Sequence, residues 1–258
     1  MTGRLRVMTF NIWNYTPPWP LRRQLIADVI TRHDPDVVAI QESRRDFRQA
    51  GGVSQADQIA ALTGYHATSA VAQVYVPLFR VDEGLALLTR IPPSEVKVCP
   101  LTLLPHERHD ENHRIVLGAV VEAAGRPIHV FNTHFSLSAR ARLQNAQEAH
   151  RFVDEVSGPE PAVLMGDLND LPASLPLRFL TGAEDVEGVR GSLTDCWHEA
   201  HGEGPGYTYP SSGPVRRIDY ILARHAGPGP IQAQLAGCHP RDGVYPSDHL
   251  AVVVDLPV

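Results

Sequence analysis

Cysteine is scarce in this chain. Cys99, Cys196 and Cys238 stand far apart among 258 residues and form no CxxC pair. That spacing argues against a disulfide framework or a zinc centre, and free or buried thiols in a reducing compartment are expected. Long apolar runs are also missing, so no segment reads as a membrane span. The opening MTGRLRVMTFNIW has two arginines but no apolar signal-peptide core, and a cytoplasmic location is the expectation. Excess positive charge is lacking too: 23 Lys and Arg face 29 Asp and Glu, a net charge of −6. A broad electrostatic grip on nucleic acid or an anionic membrane is therefore disfavoured. The sequence has no GxSxG of a serine hydrolase, no GxxxxGK[ST] phosphate loop and no HExxH zinc motif.

What is present points to a mixed fold. Twenty-two prolines and twenty glycines are spread along the chain, as many short elements joined by turns would require. No repeat, linker or low-complexity tract divides it, and 43% hydrophobic content suits a sizeable core; one domain over residues 1–258 is expected. Strand patterns fall at Leu5–Ile12, Val37–Gln41, Leu85–Thr89, Ile115–Glu122, Ile128–Asn132, Val163–Met165, Ile218–Ala223 and Leu250–Leu256. Helices are predicted from near Pro20, over Ser54–Thr63 with Gly64 as stop, and over Ser138–Val156 with Ala139, Leu143, Ala146, His150 and Val153 on one stripe. Buried and half-buried patterns together suggest an α/β fold of two packed sheets flanked by helices.

The strand ends are unusually polar. GDLND places Asp167, Asn169 and Asp170 straight after a greasy strand. Gly, Asp and Asn are turn-formers, but Asp167 and Asn169 would share one side of an extended chain. The pattern recurs with Asn11 in TFNIW, Gln41 and Glu42 in AIQES, Asn132 and His134 in NTHF, Asp219 in RIDYIL, and Asp248 and His249 in SDHL. Five such ends, each bringing a carboxylate, amide or imidazole, suggest a site gathered at one edge of the sheets. Carboxylates with amides suit a hard cation, Mg²⁺ or possible Mn²⁺, and imidazole beside carboxylate suits acid–base work. Together they suit water attack on a phosphate.

The ordered set TFNIW, AIQES, EGLALLTR, NTHF, GDLND, RIDYIL and SDHL resembles the endonuclease/exonuclease/phosphatase superfamily, from about residue 5 to the C-terminus. The resemblance implies a four-layer α/β sandwich, two mainly antiparallel or mixed sheets between helices. It implies a divalent-metal-dependent phosphoesterase, with a DNA or RNA nuclease as the alternative and a catalytically retired phospho-ligand-binding domain as a third reading. Carried over by position, Glu42 is the principal metal carboxylate, with Asn11 and Asp248 nearby. Asp167 activates the attacking water, which Asn169 helps hold. His249, oriented by Asp219, stabilises the phosphorane; His134 and Arg114 contact the phosphate. Taken singly, each has a plainer role: Asn11 a turn, Glu42 an exposed charge, His134 a structural histidine, Asp219 a partner for Arg216 or Arg217.

Substrate identity is less legible. Trp13, Tyr15 and Trp19 in NIWNYTPPWPLRR form either an aromatic rim or packing for the next helix. Tyr207, Tyr209, Arg216 and Arg217 in GYTYPSSGPVRR could meet a leaving group, and PHERHDENHR reads as a solvated loop. No apolar docking finger is evident, residues 69–79 being the best candidate. A phosphoester substrate is expected, small molecule, lipid or nucleic acid, with no obligate protein partner.

Overall fold

The computed structural model describes residues 3–76 and 81–258. In chain order its elements are β1 (Arg4–Asn11), α1 (Trp19–His33), β2 (Val37–Asp46), α2 (Gln55–Thr63), β3 (His66–Val76), β4 (Val81–Thr89), β5 (Glu95–Leu101), β6 (Arg114–Ala123) and β7 (Arg126–His134). There follow α3 (Ala139–Ser157), β8 (Ala162–Asp167), α4 (Leu175–Leu180), β9 (Thr194–Asp195), α5 (Cys196–His201), β10 (Asp219–Arg224), β11 (Gln232–Ala236) and β12 (Ala251–Pro257). The strands form two six-stranded sheets, ordered β11-β12-β1-β2-β4-β3 and β5-β6-β7-β8-β10-β9. Each sheet is antiparallel except for one central parallel pair, β1 with β2 and β7 with β8. A parallel pair needs a crossover, and α1 and α3 supply one each.

Three apolar layers hold the sandwich. Met8, Phe10, Val38 and Ile40 pack under α1 and α2 beside Ile26, Ile30 and Ile59. Phe131, Leu164 and Leu222 pack under α3 and α4 beside Ala149, Val153 and Phe179. Between the sheets lie Leu5 and Val7, Val37 and Ala39, Ile128 and Val130, Val163 and Met165, and Ile221 and Ala223. This is the expected four-layer α/β sandwich. No helix among the described residues is long and apolar enough to cross a membrane.

Strand periodicity fixes where the polar ends go. Successive side chains alternate faces, so each seam row continues two residues at a time. Extended toward one end of the seam, the rows reach Asn11, Gln41, Asn132, His134, Asp167 and, on antiparallel β10, Asp219. That end holds the carboxyl ends of both parallel pairs, where open α/β sheets commonly bind ligands.

Helix signals read from sequence match well at α2. The Ser54 hydroxyl accepts from the Asp57 amide, and Gly64 closes the helix at φ 79°. At α3 the buried stripe is Ala141, Asn145, Ala146, Ala149, His150 and Val153; Ala139 is exposed and Leu143 half-buried. Small residues let the helix lie close to its sheet, and Asn145 Oδ1 accepts from the Ser136 amide at 3.0 Å. Sequence patterning missed β3, β5, β9 and β11, strands at sheet edges, and the six-residue helices α4 and α5. Half-exposed edge strands such as EVKVCPL and QAQLA carry a weak apolar pattern. Of the segment 69–79, residues 77–79 lie outside the described residues.

Candidate active site

Asn11 ties the two sheets together at the seam's polar end. Its Nδ2 donates to Glu42 Oε1 at 3.1 Å on the same sheet and to Asp167 Oδ2 at 3.1 Å on the other. Glu42 sits where β2 bulges between Ile40 and Ser43, in the left-handed region at φ 56°. For a residue with a Cβ that backbone is costly, and here it turns the carboxylate out of the strand's alternation. Its second oxygen accepts from Asn14 Nδ2 at 3.0 Å. Burial first, and then the neighbouring Glu83 charge, raise the Glu42 pKa.

Asp167 ends β8 fully buried. The preceding Gly166 is required because a Cβ there would meet the Thr133 carbonyl of β7 at 2.0 Å. Asp167 Oδ1 accepts from the Asn169 amide at 2.9 Å, and Asn169 takes φ 53°. The Asn169 side chain then donates to the Phe135 carbonyl at 2.9 Å. Leu168 points the other way into the helix layer, and Asp170 receives Arg142 at 2.7 Å. Burial and the nearby Asp219 charge raise the Asp167 pKa.

His249 stands between two aspartates. Its Nδ1 lies 2.9 Å from Asp219 Oδ2, and its Nε2 faces Asp167 Oδ2 across 3.8 Å. An ionised carboxylate only accepts, so Nδ1 carries the proton. Burial disfavours the imidazolium, but Asp219, Asp167 and Asp248 outweigh it and push the pKa up to about 10. His134 behaves oppositely. Its Nε2 is 3.5 Å from Asp167 Oδ2, yet burial, with Arg114 and His249 adding like charge, holds its pKa well below 6.5. The site thus pairs one cationic and one neutral imidazole.

Arg114, Glu42, Glu83 and His134 line one small recess. Buried Arg114 Nε and Asp219 Oδ1 have no hydrogen-bond partner among the described residues, a donor and an acceptor that a phosphate and a water would satisfy. Asp248 is half-buried, with its pKa raised by burial. Its neighbour Ser247 donates to the Asn11 carbonyl at 2.7 Å. Burial raises the pKa of Glu42 and Asp248 even with the His249 and Arg22 cations nearby, and two such carboxylates fit a hard divalent cation. Asp167, Asp219 and His249 form a tighter group, with ligand atoms within 4.8 Å. A protonated imidazole cannot ligate, so that group is better suited to proton handling.

Gln41 and Asn132, polar strand ends in the sequence, serve structure instead. Gln41 Nε2 donates to Asn132 Oδ1 at 2.7 Å, and Asn132 Nδ2 donates to the Ile40 and Ala86 carbonyls, both at 2.8 Å. They are a buried tie between sheets beneath the site. Asp219 pairs with His249, while Arg217 is taken by Asp195 at 2.7 Å. Of the aromatics near Asn11, Trp19 is buried and Tyr15 meets it edge-on at 5.5 Å. Both pack the helix layer.

Three contributors escaped sequence reasoning. Asn14 holds Glu42, and Glu83 adds charge beside it. Arg22, 1% exposed, donates to the carbonyls of Ile12, Trp13, Asn14, Thr16 and Pro246. It clamps the loop after Asn11 to the segment before Ser247. Nothing local in PLRRQL distinguishes Arg22 from Arg23.

A family model described as Endonuclease/Exonuclease/phosphatase family matches residues 8–249. Uncharacterized protein YbhP of Escherichia coli (strain K12) is 30% identical over 104 residues, 40% of this chain and 37% of that relative's length. The endonuclease/exonuclease/phosphatase structure from Beutenbergia cavernae DSM 12333 aligns at TM-score 0.75 and 27% identity, over 99% of this chain and 72% of that one. Its counterpart from Bacteroides vulgatus aligns at TM-score 0.77 and 21% identity over 99% of both chains. That likeness shows the shared DNase I-like fold.

Proposed function

The chain belongs to the endonuclease/exonuclease/phosphatase family, and from that premise we propose that it is a divalent-cation-dependent phosphodiesterase. The observation carrying this reading is the His249 imidazole set between Asp219 and Asp167, with Asn11 joining Asp167 to Glu42. Glu42, Asn11 and Asp248 would hold Mg²⁺ or Mn²⁺, which on binding supplies Lewis-acid charge stabilisation at the phosphate.

The remaining roles belong to the chain itself. Asp167 accepts the proton of the attacking water, its carboxylate oriented by Asn11 and by the Asn169 amide. Asn169 Oδ1 takes no hydrogen bond among the described residues and can accept from that water. His249, kept cationic by Asp219, offers Nε2–H to a phosphate oxygen as negative charge develops. Neutral His134 and the unpartnered Nε of Arg114 donate to the same phosphate. A diester is favoured over a monoester as the substrate. Cytoplasmic location and the absence of an obligate protein partner are further proposals.

The test is Mg²⁺- and Mn²⁺-dependent hydrolysis of bis(4-nitrophenyl) phosphate, plasmid DNA, RNA, inositol phosphates and sphingomyelin, with Asp167→Asn protein as blank. Turnover of at least one ester, dependent on metal and absent from the blank, is expected. Equal rates in wild type and blank would overturn the mechanism.

A further inference from the structure

Arg216 and Arg217 are consecutive in sequence and opposite in use. Arg217 is buried, its Nη1 2.9 and 2.7 Å from the two oxygens of Asp195. Arg216 is exposed, and no carboxylate pairs with it among the described residues. Its guanidinium lies over the Tyr209 ring, 5.2 Å from the centroid. That ring in turn meets the His249 imidazole at 4.9 Å between centroids. One aromatic ring thus separates an uncommitted cation from the imidazole proposed to stabilise the reacting phosphate.

The position is built. Tyr209 and Arg216 exchange backbone hydrogen bonds of 3.0 Å in both directions, and the Thr208 amide donates to the Arg216 carbonyl at 2.7 Å. The Ser211 amide donates to the Asp248 carbonyl at 2.7 Å, joining this loop to the site. Arg216 also lines a cleft of about 790 Å³ with Leu171, Pro172, Tyr207 and Val215. Two other arginines of that cleft, Arg178 and Arg217, are neutralised by Glu184 and Asp195, and the exposed carboxylates Glu199 and Glu203 also line it.

We propose that Arg216 is a specificity-determining residue that binds a second phosphate of the substrate, in the cleft leading away from the reacting phosphate. The proposal rests on the phosphoesterase reading of the site. A guanidinium pre-stacked on an aromatic ring loses little freedom on binding, and its planar fork matches a phosphate. Glu199 and Glu203 oppose an anion in the same cleft and its other arginines are paired, so a second phosphate there depends on Arg216, and its removal erases the preference for two phosphates over one. The second phosphate could come from a nucleotide chain or from a polyphosphorylated small molecule.

Calorimetry of the whole protein, with Ca²⁺ replacing Mg²⁺, tests this in two pairs. Thymidine 5′-phosphate is compared with thymidine 3′,5′-bisphosphate, and inositol 1-phosphate with inositol 1,4-bisphosphate. In at least one pair the bisphosphate should bind about tenfold more tightly, as a charge-assisted hydrogen bond provides. The pair that shows the preference identifies the source. Arg216→Gln should bring that ratio close to one, and Arg216→Lys should restore part of it. Equal affinities in both pairs, or a ratio that survives Arg216→Gln, would overturn the proposal. Because turnover is not read, a failure of hydrolysis and a failure of this selectivity are separate results.

Discussion

Asp219 and His249 face each other at 2.9 Å, carboxylate to Nδ1, both buried at the mouth of the seam between the sheets. The pair sets the charge of the imidazole. Burial alone would lower the His249 pKa, and Asp219 is the foremost group opposing it, giving about 10. Asp219→Asn removes that charge, so the imidazolium should deprotonate at lower pH. The alkaline limb of the kcat/KM profile against pH should move down, reported by assays across the alkaline range. An alkaline limb that stays in place would remove His249 from its role as the cationic donor to the phosphate.

His134 makes a prediction of opposite sign about stability. Its folded pKa lies below 6.5, so as pH falls below 6.5 the unfolded chain takes a proton that the native site refuses. Stability is therefore lost on acidification through this group, and none of that loss occurs above 6.5. His134→Gln should flatten the acid side of the urea midpoint against pH. A parallel, merely displaced curve would contradict the assignment.

Asp167 is the proposed base, and Asp167→Asn should lower kcat by roughly 10²- to 10⁴-fold, the scale of losing a positioned acid–base group. Circular dichroism should match wild type. Near-normal turnover by the folded variant would end the mechanism.

Glu42 is argued to hold the cation. Added Mg²⁺ should raise the melting temperature of wild type, a stabilisation of about 2.7 kcal/mol at a hundredfold excess over its dissociation constant. Glu42→Gln should lose that shift in differential scanning fluorimetry. If the variant responds as wild type does, the cation sits elsewhere.

Arg22 is the clamp beneath the site. Lysine, with a compact head and three donors, cannot replace a guanidinium serving five carbonyls. Arg22→Lys should therefore cost at least about 3 kcal/mol, from carbonyls left buried and unpaired. Urea denaturation measures it, and a loss below about 1 kcal/mol would show that water replaces the clamp.

Much of this protein was determined by the sequence alone. The polar strand ends in family order identify the family, and period-two alternation carries Asn11, Gln41, Asn132, His134, Asp167 and Asp219 to one end of the seam, because that period is a property of the extended backbone. Glu42 reaches it only through the bulge in β2. The caps of α2 and the close approach at Gly166 are local in the same way. Only the tertiary structure decided which polar ends meet in the candidate site and which merely join the sheets. Asn11 and Asn132 look alike at strand ends, yet one reaches Glu42 and Asp167 while the other bonds Gln41 and two carbonyls. Arg22 against Arg23, and Arg216 against Arg217, divide the same way. Such pairs differ only in what lies opposite them, and that depends on the register and stacking of strands far apart in the chain.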